Sequence, residues 1–127
     1  MPQFHKHLGD LYFDDFKLDA AIAEYKTSIQ LDPNDPETYI PLGFACYMSG
    51  FVGNDGMFEE AAAAFEQAIA LSPLDAVAHY GLGISYESLG DTDRAFNVYF
   101  KLKTLDEEWA KKLQDDLVKD YNMDEDE

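Results

Sequence analysis

The sequence predicts an all-α solenoid of three helix hairpins that is closed by one further helix. Three observations support this prediction. Landmark residues recur at spacings of 34 and 40 along the 127-residue chain. Apolar residues recur at helical intervals within each unit, and no window alternates polar and apolar residues over the length of a strand. A single hairpin cannot bury both of its faces, so neighbouring units must stack.

The landmarks divide the chain into three units. Each unit has a Leu-Gly pair, then an alanine followed four residues later by an aromatic, and then a stop signal that contains proline in the first two units. The landmarks are Leu8-Gly9, Leu42-Gly43 and Leu82-Gly83, then Ala21/Tyr25, Ala61/Phe65 and Ala95/Tyr99, then Pro33, Pro73 and Glu107. A 34-residue unit explains the spacings if six extra residues lie near 51–56. The units then cover 2–35, 36–75 and 76–106.

Helix start and stop signals fit this division. An aspartate before a helix offers a side-chain acceptor to the free N–H groups of the first turn. The start signals are Asp35 before Pro36, Asp75, Asp91 or Thr92, and Asp55 in the turn of the second unit. Gly50 and Gly90 lie where the first helices of the second and third units are expected to end.

A capping helix is predicted over residues 106–121, which completes a single domain of residues 1–121. Its large apolar residues recur every fourth position, with charged residues between them: Trp109, Leu113, Leu117 and Tyr121. Such a helix can cover the last exposed face of a repeat array. This favours Trp109 as part of the cap core over Trp109 as a ligand anchor. The acidic segment 122–127 is predicted to be a disordered tail.

The landmark set resembles the tetratricopeptide repeat (TPR) family over residues 2–106. The matching residues are Leu8, Gly9, Tyr12, Ala21, Tyr25, Ser28 and Pro33, then Tyr39, Leu42, Gly43, Ala61, Phe65, Ala68 and Pro73, then Leu82, Gly83, Tyr86, Ala95 and Tyr99. His5, His79 and Cys46 depart from the family pattern, which has aromatic residues there. The resemblance implies a right-handed solenoid whose first helices line a concave groove. It also implies a protein-binding adaptor or scaffold.

Composition excludes several classes of function. Nine Lys and Arg stand against 26 Asp and Glu, which gives a net charge of −17. This charge repels phosphates, so neither nucleic acid nor an anionic membrane is expected as a partner. Cys46 is the only cysteine, which excludes an internal disulfide and fits a reducing compartment. With no segment suited to span a bilayer, a cytoplasmic location is expected.

The sequence contains no constellation that indicates an enzyme. His5 and His7 point in different directions on a helix, so they make a poor metal chelate. Cys46 is expected to be a buried thiol without an activating base, since His79 is its only distant candidate. No phosphate-binding loop is present. We therefore expect neither catalysis nor a metal or other cofactor, while thiol chemistry at Cys46 and metal binding by the His pair stay open as alternatives.

The groove implied by the resemblance is apolar at its centre, because residues 39–48 contain no charge. Its predicted partner-binding residues are Lys6, Asp10, Phe13, Asp14, Glu37, Ile40, Phe44, Tyr47, Met48, Tyr80, Ile84 and Glu87. An apolar patch with an acidic rim predicts a peptide or helix with apolar anchors and basic flanks. Two alternatives remain. The loop at 51–56 or the terminal helix covers the patch, or the chain assembles with itself through the groove or the capping helix.

One role known in the family is disfavoured. Co-chaperone versions of the repeat hold the C-terminal carboxylate of heat-shock chaperones with Lys, Asn and Arg side chains. Here only Lys6 matches in type, while Asp10, Phe44 and Val77 stand at the other clamp positions. Acidic side chains repel a carboxylate.

Overall fold

The computed structural model describes the backbone of residues 1–125 and the side chains of residues 1–119. Within that part, every regular element is a helix, which confirms the predicted all-α class. The helices are α1 (Pro2–Asp14), α2 (Leu18–Leu31), α3 (Pro36–Phe51), α4 (Met57–Leu71), α5 (Ala76–Ser88), α6 (Thr92–Leu105) and α7 (Glu107–Glu125).

The helices pair in chain order and then stack. α1 packs on α2, α3 on α4 and α5 on α6, while α2 also packs on α3 and α4 on α5. α7 packs against both helices of the last hairpin. The array therefore consists of three successive hairpins and a closing helix, and it has one continuous hydrophobic core.

Aspartate side chains start four of the seven helices in the described part of the chain. Asp35 and Asp75 each accept a hydrogen bond from the backbone N–H two residues later, both at 3.0 Å. Asp91 accepts from the N–H three residues later at 3.1 Å, so it is Asp91 rather than Thr92 that caps α6. Asp106 caps α7 through the N–H groups two and three residues later. These bonds satisfy donors that the first helical turn leaves without partners.

The six extra residues of the second unit do not all lie in a loop at 51–56. α3 has 16 residues against 13 in α1 and α5, so half of the extra residues add a further turn to a helix. The prediction that α3 ends at Gly50 is wrong, because the helix continues through Gly50 to Phe51. A Cβ at Gly50 would lie 2.7 Å from the Phe58 ring, so this glycine serves helix contact. The glycine with a positive φ that follows α3 is Gly53, whose φ is 119°.

Two further boundaries concern the same turn and its equivalent in the third unit. α4 begins after Gly56, and Asp55 makes no side-chain cap bond, contrary to the expectation. Gly90 has a φ of 80° and follows the end of α5, where a helix stop was predicted.

The glycines of the three Leu-Gly pairs lie against large side chains. A Cβ at Gly9 would lie 2.7 Å from the Tyr25 ring, and one at Gly43 would lie 2.6 Å from the Phe65 ring. In the third unit the side chain against Gly83 is Leu113, which belongs to α7. The last hairpin therefore obtains its filling side chain from the capping helix.

The capping helix buries the apolar face that its sequence spacing predicts. Leu113 is fully buried and Leu117 nearly so. Trp109 is half-buried, with its ring centroid 5.1 Å from that of Tyr80. α7 continues to Glu125, four residues into the segment predicted as a disordered tail. The side chain of Tyr121 and the residues 126–127 lie outside the described part, and disorder there stays a prediction.

Candidate functional site

The first cavity of the site lies between α1 and α3 and has a volume of about 490 Å³. It is lined by Asp10, Phe13, Asp14, Tyr25, Ile40, Pro41 and Phe44. Five of these are predicted groove residues from two different units, so the fold brings them together. Tyr25 and Pro41 were not predicted. We call this space the N-terminal cavity.

Tyr25 reaches the N-terminal cavity from the core. Its hydroxyl donates a hydrogen bond of 2.5 Å to Oδ1 of Asp10. Burial raises the pKa of the Tyr25 hydroxyl well above its usual range, and the hydrogen bond to Asp10 and the charge of Asp10 and Asp14 raise it further. The hydroxyl therefore stays a neutral donor, and it fixes one carboxylate on the cavity wall.

Phe44 and Ile40 form the apolar wall of the N-terminal cavity. Both side chains are half-buried, so they are not sealed beneath the rest of the chain. The Phe44 ring meets the buried Phe65 ring edge-on, with centroids 4.9 Å apart. Packing from behind holds Phe44 in place while part of its surface faces the cavity.

A second cavity of about 290 Å³ lies between the end of α3, α5 and α7. Its lining residues are Tyr47, Phe51, Tyr80, Ile84, Glu87, Ser88, Asp116, Leu117 and Lys119. Four of these are predicted groove residues. We call this space the C-terminal cavity.

The extra turn of α3 supplies one wall of the C-terminal cavity. Phe51 lies on this turn and is 63% exposed. Its ring centroid is 4.9 Å from Tyr47 and 5.7 Å from Phe58, and Tyr47 and Phe58 are 5.6 Å apart. Tyr47 and Phe51 are one helical turn apart. Phe51 could therefore have been predicted as a groove residue beside Tyr47 if the predicted helix had extended past Gly50.

The capping helix covers part of the groove predicted to be open. Tyr80 and Ile84 are each only 8% exposed, and the Tyr80 hydroxyl donates a hydrogen bond to Asp116 of α7. Burial and the contact with Asp116 raise the pKa of Tyr80 above its usual range. The open apolar patch is therefore centred on the second unit, and the third unit contributes less than the sequence indicates.

Three predicted groove residues line neither cavity. Lys6 and Met48 are half-buried, and Glu37 is exposed in the first turn of α3. The sequence missed Asp116, Leu117 and Lys119, because the predicted groove contained only first helices of the hairpins and left out α7.

The side chains of Cys46, His5 and His79, which could act in catalysis or bind a metal, are buried or hydrogen-bonded outside the two cavities. Cys46 is 1% exposed, and burial, with the charge of Glu60 adding, raises the pKa of its thiol to about 12. His5 Nδ1 lies 2.7 Å from a Glu24 carboxylate oxygen, and His79 Nε2 lies 2.8 Å from a backbone carbonyl oxygen. Within the described residues, no three His, Cys, Asp or Glu side chains are arranged to hold a metal ion.

No helix in the described part of the chain combines the length and the apolar character that a bilayer crossing requires.

The stacked hairpins and their first-helix groove define a helical repeat protein. A family model described as "TPR repeat" matches residues 2–50, and one described as "Tetratricopeptide repeat" matches residues 54–106. The chain belongs to the tetratricopeptide repeat family and has the right-handed solenoid fold of that family. The gap between the two matches, residues 51–53, falls at the end of α3 and the start of the following turn, where the second unit is lengthened.

Solved structures share this fold. The TPR domain of Arabidopsis OM64 aligns with a TM-score of 0.81 at 18% identity and covers 93% of this chain and 94% of its own. The first TPR of Spaghetti (RPAP3), bound to the HSP90 peptide SRMEEVD, aligns at 0.76 and 22% identity, with 89% of each chain covered. MamA from AMB-1 aligns at 0.71 and 27% identity, over 84% of this chain and 59% of MamA.

The chain thus spans less than two thirds of that MamA structure. A sequence search of curated proteins finds no match.

Proposed function

We propose that the chain is a non-enzymatic adaptor that binds a segment of another protein in its first-helix groove, through apolar anchors with basic flanks. The single observation behind this proposal is the N-terminal cavity. It places the half-buried Phe44 and Ile40 beside the carboxylates of Asp10 and Asp14. TPR domains generally bind proteins or peptides, and apolar patches with polar rims are typical of such sites.

Electrostatics favours a basic partner for this groove. The ionisable groups that line the N-terminal cavity are two carboxylates and a neutral tyrosine, with no Lys or Arg among them. The net charge of −17 adds a long-range field of the same sign. Such a field accelerates encounter with a basic segment, while the apolar anchors supply most of the affinity.

The same charge distinguishes this groove from that of the RPAP3 domain. The peptide in that complex, SRMEEVD, has three acidic residues. In the present chain an acidic peptide at Asp10 and Asp14 would face carboxylates of its own sign. We therefore expect that SRMEEVD does not displace a peptide that occupies this groove.

The proposal is tested with a phage-displayed library of random dodecapeptides. We expect enriched sequences that combine Lys or Arg with two or three large apolar residues. Their synthetic versions should bind at least about ten-fold more weakly to the double variant Phe44→Ala, Tyr47→Ala, because anchor contacts are lost. Asp14→Lys should weaken binding and reduce its salt dependence. Fluorescence anisotropy measures both effects, and circular dichroism checks that each variant is folded.

Phe100→Ala is the matched control, because Phe100 is an exposed ring on α6 outside both groove cavities. It should leave peptide binding unchanged. Basic, apolar peptides that bind the Phe44, Tyr47 variant as tightly as the original chain would refute the groove. Light scattering over a dilution series addresses self-assembly, and a concentration-dependent oligomer that Phe44→Ala dissociates would replace the adaptor proposal.

Two further parts of the proposal rest on Cys46. Its buried thiol, with a pKa raised to about 12, is not a nucleophile at neutral pH, which supports a non-enzymatic role. A lone free cysteine also fits a reducing compartment, and we propose the cytoplasm as the site of action.

A further inference from the structure

A third cleft lies between α4, α5 and α6 and shares no lining residue with the groove cavities. Its volume is about 260 Å³. Its lining residues are Ile69, His79, Leu82, Tyr86, Arg94, Asn97, Val98 and Lys101. We call it the α5–α6 cleft, and the proposed groove function makes no use of it.

The charge of the α5–α6 cleft is opposite to that of the groove. Arg94 and Lys101 line it, and no Asp or Glu does. Each groove cavity, by contrast, is lined by two carboxylates. Arg94 is the only arginine of a chain that carries 26 acidic residues. Two cations therefore line the cleft itself, while the carboxylates of Asp91 and Glu66 lie at its edge, against Arg94 and Tyr86.

The polar groups of the cleft lie on one face of α6. Arg94, Asn97 and Lys101 follow each other at intervals of three and four residues, so they form a row about 10 Å long. The side chains of Asn97 and Lys101 are exposed and make no hydrogen bond or ion pair within residues 1–119. A ligand could therefore bind them without breaking an existing contact.

Neighbouring side chains orient Arg94 but do not occupy all of its N–H donors. Its Nε lies 3.3 Å from a carboxylate oxygen of Asp91, and its guanidinium carbon lies 5.6 Å from the centroid of the Tyr86 ring. The ion pair is exposed, and such pairs contribute little. The guanidinium has five N–H donors, so donors remain for a ligand carboxylate. Glu66, the acid nearest to Tyr86, accepts the hydrogen bond of that hydroxyl at 2.7 Å.

The floor of the cleft is apolar. Leu82 and Val98 are each 8% exposed, and Ile69 is half-buried. His79 is buried beside them, with Nε2 held at the carbonyl of Pro73. This floor matches one aliphatic side chain of a ligand, while the row on α6 matches carboxylates on either side of that side chain.

We propose that the α5–α6 cleft is a second docking site, which binds an acidic peptide segment of a partner protein with one aliphatic side chain between carboxylates. The aliphatic side chain lies on Ile69, Leu82 and Val98, and the carboxylates pair with Arg94 and Lys101. The net negative charge of the chain slows encounter with an acidic segment, but at physiological salt it is screened beyond about 8 Å, so the contacts within the cleft determine the affinity. The chain then holds two segments of opposite charge at separate sites.

The test titrates the ¹⁵N-labelled chain with the acetylated, amidated peptide Asp-Glu-Leu-Glu-Asp at 0.15 M salt. We expect saturable NMR shifts at amides of α5 and α6 around the cleft and none around Phe44. The double variant Arg94→Gln, Lys101→Gln should weaken binding at least about ten-fold, and replacing the peptide leucine with serine should weaken it about five-fold.

The matched control is Lys17→Gln with Lys111→Gln. It changes the net charge by the same amount at two exposed lysines outside the cleft, so it should leave binding within about two-fold of the original. Equal losses in the two double variants would show an effect of net charge alone and overturn the site. Absent or non-saturable shifts, or shifts centred on the groove, would overturn it too.

One more outcome concerns a second copy of the chain in the same cleft. If light scattering shows a dimer that Arg94→Gln with Lys101→Gln dissociates, the occupant is a second copy and the partner-segment proposal is overturned. Binding of the peptides selected for the groove should be unchanged in this variant, so failure of one site is distinguishable from failure of the other.

Discussion

The first and second repeats share a backbone arrangement but differ in one pair of side chains. After the Leu-Gly landmark the first repeat has Asp10 and the second has Phe44, and the aromatic of the second helix is Tyr25 in one and Phe65 in the other. Tyr25 donates a hydrogen bond to Asp10, whereas Phe65 packs edge-on against Phe44. Each pair is matched in polarity.

This difference shows how a repeat sets the polarity of its groove. The glycine of each of these two repeats makes room for the aromatic ring, and the ring meets the side chain on the groove wall. A hydroxyl there requires an acceptor, because an unpaired buried polar group is costly. A plain ring permits an apolar wall instead. Buried and exposed positions are therefore coupled, and the following predictions test the coupling.

The largest effect is expected for Phe65→Ala. The Phe65 ring is fully buried and fills the space beside Gly43 and Gly81. Its loss should reduce the free energy of unfolding by about 3–5 kcal/mol, measured by urea denaturation. Phe96→Ala, at a ring that is 41% exposed, is the control and should cost about 1 kcal/mol or less. A loss at Phe65 as small as this would mean that the ring does not hold the array together.

An intermediate effect is expected for Phe65→Tyr. The added hydroxyl meets an apolar wall at Phe44, so the variant should lose about 1–3 kcal/mol of unfolding free energy. The double variant Phe65→Tyr, Phe44→Asp introduces the pair of the first repeat. The loss of unfolding free energy in this double variant should be smaller than the sum of the losses in the two single variants. Strict additivity in this double-mutant cycle would contradict the coupling.

The smallest effect is expected for Tyr25→Phe, at about 1 kcal/mol at neutral pH, because it removes the hydroxyl that bonds Asp10. Asp10 is only half-buried, so water can replace the lost donor in part. Tyr99→Phe is the matched control: it lies at the equivalent position of the third repeat, and its hydroxyl makes no hydrogen bond within the described residues. It should be close to neutral.

The same variant has a distinct pH dependence. The pKa of Tyr25 is raised in the folded chain above its ordinary value of 10.0, so the folded state retains this proton where the unfolded state releases it. The stability that Tyr25 contributes is present below about pH 10 and declines as the pH rises further. Thermal unfolding between pH 9 and 11 should show the difference between the original chain and Tyr25→Phe shrinking. A constant difference would contradict the raised pKa.

Much of the fold could be predicted because its signals are local. Aspartate caps at Asp35, Asp75 and Asp91 and the glycine-aromatic spacing each depend on a few neighbouring residues. Gly50 could not be assigned correctly, because a glycine that ends a helix and a glycine that admits a ring both lack a Cβ. Only the position of Phe58 in space separates the two cases.

The groove was less predictable than the fold, because it depends on contacts between distant segments. Phe44 and Asp14 were found from the family pattern of first helices. Tyr25 contributes to the groove because its side chain reaches from the core to Asp10. Asp116 contributes because α7 packs against the last hairpin. Neither contact leaves a periodic signal in the sequence.

The ring of Phe65 has a consequence for how the molecule opens. It belongs to the second repeat, yet it also occupies the notch at Gly81 of the third, so neither repeat can detach without exposing it. The comparable ring of the first repeat, Tyr25, closes only the notch at Gly9 of its own hairpin. The second and third repeats should therefore exchange their backbone amides with solvent as one cooperative block, and the first hairpin should fray independently.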